Sequence, residues 1–208
     1  MRATFIGPPG AGKGTQAMMA AKTLGIPHLS TGDLLREEVQ HASKLGLEAQ
    51  GYMKAGKLVP DSLVLAVLRA RLARPDAARG FILDGYPRNL DQAKELERMV
   101  ALDRAIYFEV NIEELVTRLV ERRTCATCHR VYNRKTQPPR VPDVCDDDGS
   151  ALVHRPDDNR EAVTTRFEVY QKETAPLLSY YQRQGILRTL PAMGSVKDIQ
   201  VRVLSEMR

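Results

Sequence analysis

The segment Gly7-Pro8-Pro9-Gly10-Ala11-Gly12-Lys13-Gly14-Thr15 follows an apolar stretch directly and leads directly into a helix-forming one. Glycines at this density let consecutive backbone N–H groups turn inward around an anion, and the start of the following helix adds its positive end. Lys13 is placed to reach the outer phosphates of a nucleotide. The spacing Gly-x4-Gly-Lys is that of a phosphate-binding loop, but Gly14 stands where a Ser or Thr ordinarily touches Mg²⁺. The hydroxyl arrives one residue later, at Thr15, so a metal here is expected to be held through water. A bare glycine-rich turn would bind nothing, and the flanking strand and helix favour the phosphate reading. No Gly-x-Gly-x-x-Gly can be read here, which disfavours a dinucleotide fold.

A second constellation is Phe81-Ile82-Leu83-Asp84-Gly85-Tyr86-Pro87-Arg88, with Gln92 four residues further on. Three apolar residues and then an acid put Asp84 at the carboxyl end of a buried strand, where ligands of open α/β sheets bind. A carboxylate there can order the waters of a Mg²⁺ ion, and Arg88 offers a planar fork suited to phosphate oxygens. Taken alone, the same residues also suit a plain strand-to-helix turn.

The third is Cys125-x2-Cys128-x16-Cys145-x2-Asp148. Two short pairs on separate turns can close a tetrahedral Zn²⁺ site of three thiolates and one carboxylate. A redox pair or three unrelated thiols are the alternatives, and Asp146, Asp147 and His129 compete with Asp148 for the fourth place. Four protein ligands leave no open position, so such a zinc is structural. It would stiffen a module too small to keep a core of its own.

The elements that must carry these residues alternate between strand and helix. Ala3–Ile6, Pro27–Ser30, Phe81–Leu83, Ile106–Val110 and Ile186–Leu190 read as five strands. Helical patterns run over 13–24, 32–42, 44–55, 61–73, from Asn89 as an N-cap to about Ala101, over 158–184, and from the cap Ser195 onward. Asn111 with Glu114 resembles a capping box, followed by one apolar face of Ile112, Leu115, Val116, Leu119 and Val120. This alternation predicts a parallel sheet covered by helices on both sides. Residues 122–157 break the pattern with three cysteines and four prolines, so they read as an inserted module. His28, His41 and His154 have no partners visible in sequence and read as structural or surface residues, and Met18, Met19 and Met53 as core packing.

The chain has 208 residues, 43% hydrophobic and 27% charged, which fits one soluble globular unit and excludes a disordered chain or a fibre. Its longest apolar run, Leu63 to Leu68, is far short of the roughly 20 residues of a membrane span. No secretory signal fits before Gly7, and a cytoplasmic protein is expected. The net charge of +5 favours phosphate-bearing partners. Between Arg118 and Arg166, however, ten Lys/Arg against eight Asp/Glu leave only +2, too even for a nucleic-acid-binding stripe.

Together the two phosphate motifs closely resemble those of the adenylate kinases, members of the nucleoside monophosphate kinase family. The resemblance runs over nearly the whole chain, through Ser30-Thr31-Gly32-Asp33-Leu34-Leu35-Arg36, Gly56-Lys57-Leu58-Val59, Arg155-Pro156-Asp157-Asp158 and Arg166, and the inserted segment matches the long-lid subgroup. It implies a phosphate-loop α/β fold: a five-stranded parallel sheet as core (1–29, 60–121 and 160–208), an AMP-binding segment (30–59) and a zinc-bearing lid (122–159). It implies phosphoryl transfer from Mg-ATP to AMP, giving two ADP. Gly10, Ala11, Gly12, Lys13, Gly14 and Thr15 would then cradle ATP, with Arg118, Arg122, Val131, Tyr132 and Val196 completing its site. AMP would lie against Thr31, Arg36, Lys57, Leu58, Val59, Gly85, Arg88, Gln92, Arg155 and Arg166. Lys13, Asp84, Arg88, Arg122, Arg155 and Arg166 form the implied catalytic set, whereas Arg69, Arg71 and Arg98 match no family site. The resemblance also supports metal at Cys125, Cys128, Cys145 and Asp148. Thr31 and Gln92 favour an adenine acceptor over UMP or CMP, since a glutamine amide can both donate to and accept from the adenine edge. The donor base stays open between ATP and GTP, and the rival of another class is a zinc-ribbon nucleic-acid module. A monomer is expected, with Gly46 and Gly56 as flex points or helix breaks.

Overall fold

The computed structural model describes residues 1–111 and 115–207. In chain order the elements are β1 (Arg2–Ile6), α1 (Lys13–Leu24), β2 (His28–Ser30), α2 (Thr31–Gln40), α3 (Lys44–Lys54), α4 (Asp61–Leu72) and β3 (Phe81–Asp84). There follow α5 (Leu90–Met99), β4 (Arg104–Glu109), α6 (Leu115–Val120), β5 (Arg122–Cys125), β6 (Val131–Asn133) and β7 (Leu152–Val153). The chain ends with α7 (Arg160–Val169), α8 (Pro176–Arg183), β8 (Leu187–Pro191) and α9 (Val196–Glu206).

Five strands form one parallel sheet in the order β2-β3-β1-β4-β8. Its central strands are covered on both faces, which is why they read as unbroken apolar runs. One face packs Phe5, Ile82, Ile106 and Phe108 against the alanines of α1 and against Ile199 and Val203 of α9. On the other, Ile6 and Ala105 meet Ala93 of α5 and Leu177 of α8, while Leu29, Phe81 and Leu83 meet Leu35, Val64, Leu68 and Leu96. The neighbours of β1 lie on opposite sides and are reached by opposite crossings, so a crevice opens at the carboxyl ends of β1, β3 and β4.

The helix starts are set locally. Asn89 and Ser195 accept from the backbone N–H of Gln92 and Asp198, as their positions in the sequence predict. Ser30, Ser43 and Asn159 cap α2, α3 and α7 in the same way. The predicted capping box involves Glu114 and its apolar face begins at Ile112, and both lie outside the described residues. Leu115 and Leu119 of that face are buried against Val163 and Phe167 of α7.

The helical region expected over 158–184 is present as α7 and α8, joined by a π-helical turn, Tyr170–Thr174. That turn brings the Thr174 hydroxyl to donate to Arg88 O at 2.7 Å. Gly46 is not a helix break. It sits in the first turn of α3, capped by Ser43, where a Cβ would lie 2.1 Å from Glu38 O. Gly56 does end a helix, at φ +69°, and a Cβ there would lie 2.4 Å from Ala162 O. Both glycines are contact points that let backbones approach.

The second sheet is small and antiparallel, ordered β6-β5-β7. Its buried cluster is only Cys125, Tyr132, Cys145 and Leu152, with Cys128 packed against it. Gly46→Ala is expected to destabilise the protein by about 1–3 kcal/mol through overpacking. The check is the urea midpoint, and an unchanged midpoint would contradict the close α2–α3 contact.

Candidate active site

The crevice is a cleft of about 680 Å³, lined by all the nucleotide and catalytic residues that the sequence singles out, from the glycine loop to Val196. The loop is held open by backbone geometry. Gly10 and Gly12 take φ values of +84° and +86°, which side chains strain to adopt. A Cβ on Gly10 would also lie 3.2 Å from Leu119 Cγ. Lys13 crosses the loop and donates through Nζ to Gly7 O at 2.7 Å and Pro8 O at 2.9 Å.

The departure at Gly14 has a steric reason. A Cβ there would lie 3.1 Å from Asp84 Oδ2, so a Ser or Thr would require the carboxylate at the end of β3 to shift by a few tenths of an ångström. Asp84 Oδ2 is also 3.4 Å from His28 Nε2. His28 therefore faces the site carboxylate, a role its isolated position in the sequence did not signal. Burial pushes the Asp84 carboxyl up, but His28 and Lys13 outweigh it and hold it below the usual carboxylate range.

Arginines converge on the cleft from α2, β5 and α7 and from the loops after β3 and β7. Arg122, at the start of β5, donates to Asp158 through Nε (2.7 Å) and through a second nitrogen. Arg166 on α7 reaches Asp157 Oδ2 at 3.0 Å and Asp158 Oδ1 at 3.1 Å. Arg155 donates to Thr124 Oγ1 at 3.0 Å and lies 3.7 Å from Asp33 Oδ1, which Arg36 also grips. Arg88 Nε donates to Gly85 O at 2.8 Å. Desolvation in the cleft pulls Arg88, Arg155 and Arg166 below the ordinary guanidinium value, and repulsion from neighbouring arginines adds to it. A guanidinium stays charged regardless, so the pull records strain that a polyphosphate would relieve. Asp33 and Asp157 show the converse: burial pushes them up, and their arginine neighbours hold them well below the carboxylate range.

The base-proximal residues are tied as well. Thr31 is buried and its hydroxyl donates to Gly85 O at 2.9 Å, joining α2 to the turn after β3. Gln92 Oε1 accepts from Arg88 N at 2.7 Å, and its Nε2 donates to Asp61 Oδ1 at 2.6 Å. On the donor side, Gln16 Nε2 donates to Val196 O at 3.0 Å. Tyr132 touches the cleft, but its side chain belongs to the small lid core: the hydroxyl accepts from Asp146 N at 2.8 Å. The Arg130 guanidinium sits 5.0 Å from the centre of its ring. Sequence reasoning gave no role to Asp33, Asp61, Asp157, Asp158 or Gln16, although the arginine-rich motifs around the first four were a signal that counter-ions must be near.

In the lid, the ligand atoms of Cys125, Cys128, Cys145 and Asp148 all lie within 4.8 Å of one another. Cys128 and Cys145 sulfurs are 3.6 Å apart, close to the roughly 3.8 Å that tetrahedral Zn–S bonds of 2.3 Å imply. The competitors are engaged elsewhere: Asp146 accepts from Arg140 N, Asp147 pairs with Arg130, and His129 Nε2 faces Glu37. The donor set therefore fits zinc, with Asp148 the fourth ligand. Burial, with the other thiols and Asp148 close by, pushes the Cys128 thiol up to about 12, a cost that a divalent cation would reverse.

With the cleft, its cations and the lid cluster described, the relatives can be placed beside them. Residues 5–186 match the family model for adenylate kinase. The chain belongs to the adenylate kinase family. An adenylate kinase of Caldanaerobacter subterraneus subsp. tengcongensis is 44% identical over all of this chain and 98% of its own. That of Acidothermus cellulolyticus is 46% identical over all of this chain and 98% of its own. A third, from Thermodesulfovibrio yellowstonii, is 45% identical over 96% of this chain and 95% of its own. The family places the chain among the nucleoside monophosphate phosphotransferases. Among the described residues, no helix is long and apolar enough to cross a membrane.

Two expectations follow for this adenylate kinase family member. Burial and the repulsion of Arg88, Arg166 and Arg122 outweigh Asp84 and lower Lys13 to about 8 in the ligand-free protein. Lys13 is thus charged below that pH and loses its charge as pH rises through it, so kcat/KM for ATP should fall on an alkaline limb near that value. A flat profile to pH ~10, near the ordinary lysine value, would contradict it. Cys128→Ser should lower both the melting temperature and the bound zinc measured by metal analysis, with much phosphoryl transfer surviving at moderate temperature. Unchanged stability and metal content would remove the structural role of the cluster.

Proposed function

We propose that the chain transfers the terminal phosphoryl group of Mg-ATP reversibly to AMP, giving two ADP. The observation that carries this reading is the convergence of Lys13, Arg88, Arg122, Arg155 and Arg166 on one cleft, with the glycine loop at one end and Thr31 and Gln92 at the other. The acceptor is an anionic phosphate oxygen, so no strong general base is needed. Catalysis is then positioning and charge neutralisation, which an excess of fixed arginines supplies.

In this reading Gly10 to Thr15 wrap the ATP phosphates with backbone N–H groups, and Lys13 exchanges the Gly7 and Pro8 carbonyls for phosphate oxygens. Arg122, Arg155 and Arg166 neutralise the transferring group, while Arg36 and Arg88 take the AMP phosphate. Lys57, Leu58, Val59 and Gly85 line the acceptor side, and Arg118, Val131, Tyr132 and Val196 the donor side. Asp84 would hold the Mg²⁺ that accompanies ATP, through water, and that ion supplies further charge neutralisation at the phosphates. The segment 30–59 and the lid 122–159 would close over the substrates and keep water from the phosphoryl group. Zinc at Cys125, Cys128, Cys145 and Asp148 would stiffen the lid. The balanced charge of the lid region and the absence of a basic run support small nucleotides and not nucleic acid as the substrates, and a monomeric cytoplasmic enzyme is part of this proposal.

The test is ADP formation from AMP and Mg-ATP, run beside GTP as donor and UMP and CMP as acceptors. Turnover fastest with ATP and AMP is expected. Faster turnover with another pair would overturn the base assignment, and no transfer from any pair would overturn the kinase reading itself.

A further inference from the structure

Asp61 opens α4 and lies outside the set of residues that meet nucleotide in the reading above. Its carboxylate accepts from Gln92 Nε2 at 2.6 Å and from Asn89 Nδ2 at 3.1 Å to each oxygen. Asn89 cannot turn its amide over, because its Oδ1 is the cap that accepts from Gln92 N at 2.8 Å. Gln92 is held at both ends: Oε1 takes the Arg88 N–H at 2.7 Å, and Nε2 gives one hydrogen to Asp61. The side chain is only 2% exposed, and it lines the cleft.

An amide carries two N–H donors and two lone pairs on oxygen. One of each is spent on Asp61 and Arg88, so one donor and one acceptor remain, in fixed order. A 6-aminopurine offers a matching edge, an exocyclic N–H donor beside a ring-nitrogen acceptor. A 6-oxopurine reverses both groups on that edge, and a freely turning glutamine could follow it by rotating its amide half a turn. A carboxylate accepts only, so a rotated amide would turn its oxygen toward the acceptor Asp61 and its NH2 toward the donor Arg88 N–H, and the two partners hold its orientation jointly.

We propose that Asp61 is a specificity-positioning residue, which fixes the Gln92 amide in the orientation that reads a 6-amino group and rejects a 6-oxo group on the acceptor nucleotide. The proposal rests on the reading that Gln92 meets the acceptor base. Asp61 touches neither nucleotide and acts through Gln92 alone.

The experiment measures kcat/KM for AMP and for IMP with Mg-ATP as donor, in the wild-type protein, Asp61→Asn and Gln92→Ala. IMP is the probe because it carries the 6-oxo group on an otherwise similar nucleotide. Asparagine has the size of aspartate but can donate as well as accept, so the rotated amide finds a partner at that end and only the Arg88 N–H still opposes the turn. The AMP/IMP ratio is expected to narrow about tenfold in D61N, the order expected for one charge-assisted bond. The change should lie in the acceptor KM, with the KM for ATP unchanged. A purely structural role would instead move the melting temperature and both KM values together, leaving the ratio alone, and that result overturns the proposal. Should D61N fail to fold, Asp61→Ser carries the same test, since serine suits the first turn of a helix. Q92A separates the two levels. If it collapses the AMP/IMP ratio while D61N retains it, Gln92 reads the base without help from Asp61. If Q92A leaves the ratio unchanged, the reading of Gln92 fails and the proposal falls with it.

Discussion

Repulsion among like charges sets the terms for this structure. Lys13, Arg88, Arg122, Arg155 and Arg166 face one cleft, and left to themselves such side chains would swing apart into solvent. Carboxylates hold or flank Arg122, Arg155 and Arg166, while Lys13 and Arg88 are tied to backbone carbonyls. The fully buried Asp158 takes Arg122 and Arg166, Asp157 takes Arg166, and Asp33 takes Arg36 with Arg155 close by. An isolated buried carboxylate would be costly, and it is tolerated here because each is satisfied by at least one guanidinium. The parallel sheet supplies the fixed frame: β1 ends in the glycine loop and β3 delivers Asp84 beside it, in register with Phe5. A rigid strand end and buried counter-ions together give the cations their places.

The lid meets a different constraint. Its three short strands bury only a handful of side chains, two of them cysteines, which is too little to hold a sheet by apolar burial. Zinc on the ligand cluster would cross-link the Cys125–Cys128 turn to the Cys145–Asp148 turn, and the amides of Thr127 and Cys128 point at the Cys125 sulfur. Arg122 and Arg155 enter the cleft from this module or its margins, so the order of the knuckle bears on the order of the charges.

Much of this was legible from residue types alone. The loop declares itself because positive φ at Gly10 and Gly12 leaves little choice but glycine, and the strand before Asp84 declares itself because parallel strands are buried on both faces. The caps at Asn89 and Ser195 were equally local. What stayed hidden was pairing at a distance. Nothing in an aspartate shows that it will face an arginine 36 residues away, as Asp158 faces Arg122. The π-helical turn adds a residue within a pattern that otherwise reads as one helix, and Gly46 resembles any helix-weakening glycine until the α2 backbone is seen against it. The fourth cysteine-site ligand needed geometry for the same reason: three adjacent aspartates are equivalent in sequence and differ only in where the turn points them.

The aspartates that hold the arginines also have a bearing on turnover. Arg36, Arg122 and Arg166 already hold a carboxylate, so a phosphate arriving at any of them would meet a resident anion and not an empty site. Asp33 illustrates the arrangement, since it lies between Arg36 of α2 and Arg155 ahead of α7. Binding strength is then a difference between two anions of similar appetite, smaller than either attraction alone. A site built this way works as a balance near its tipping point, suited to a reaction that must release its nucleotides as readily as it takes them.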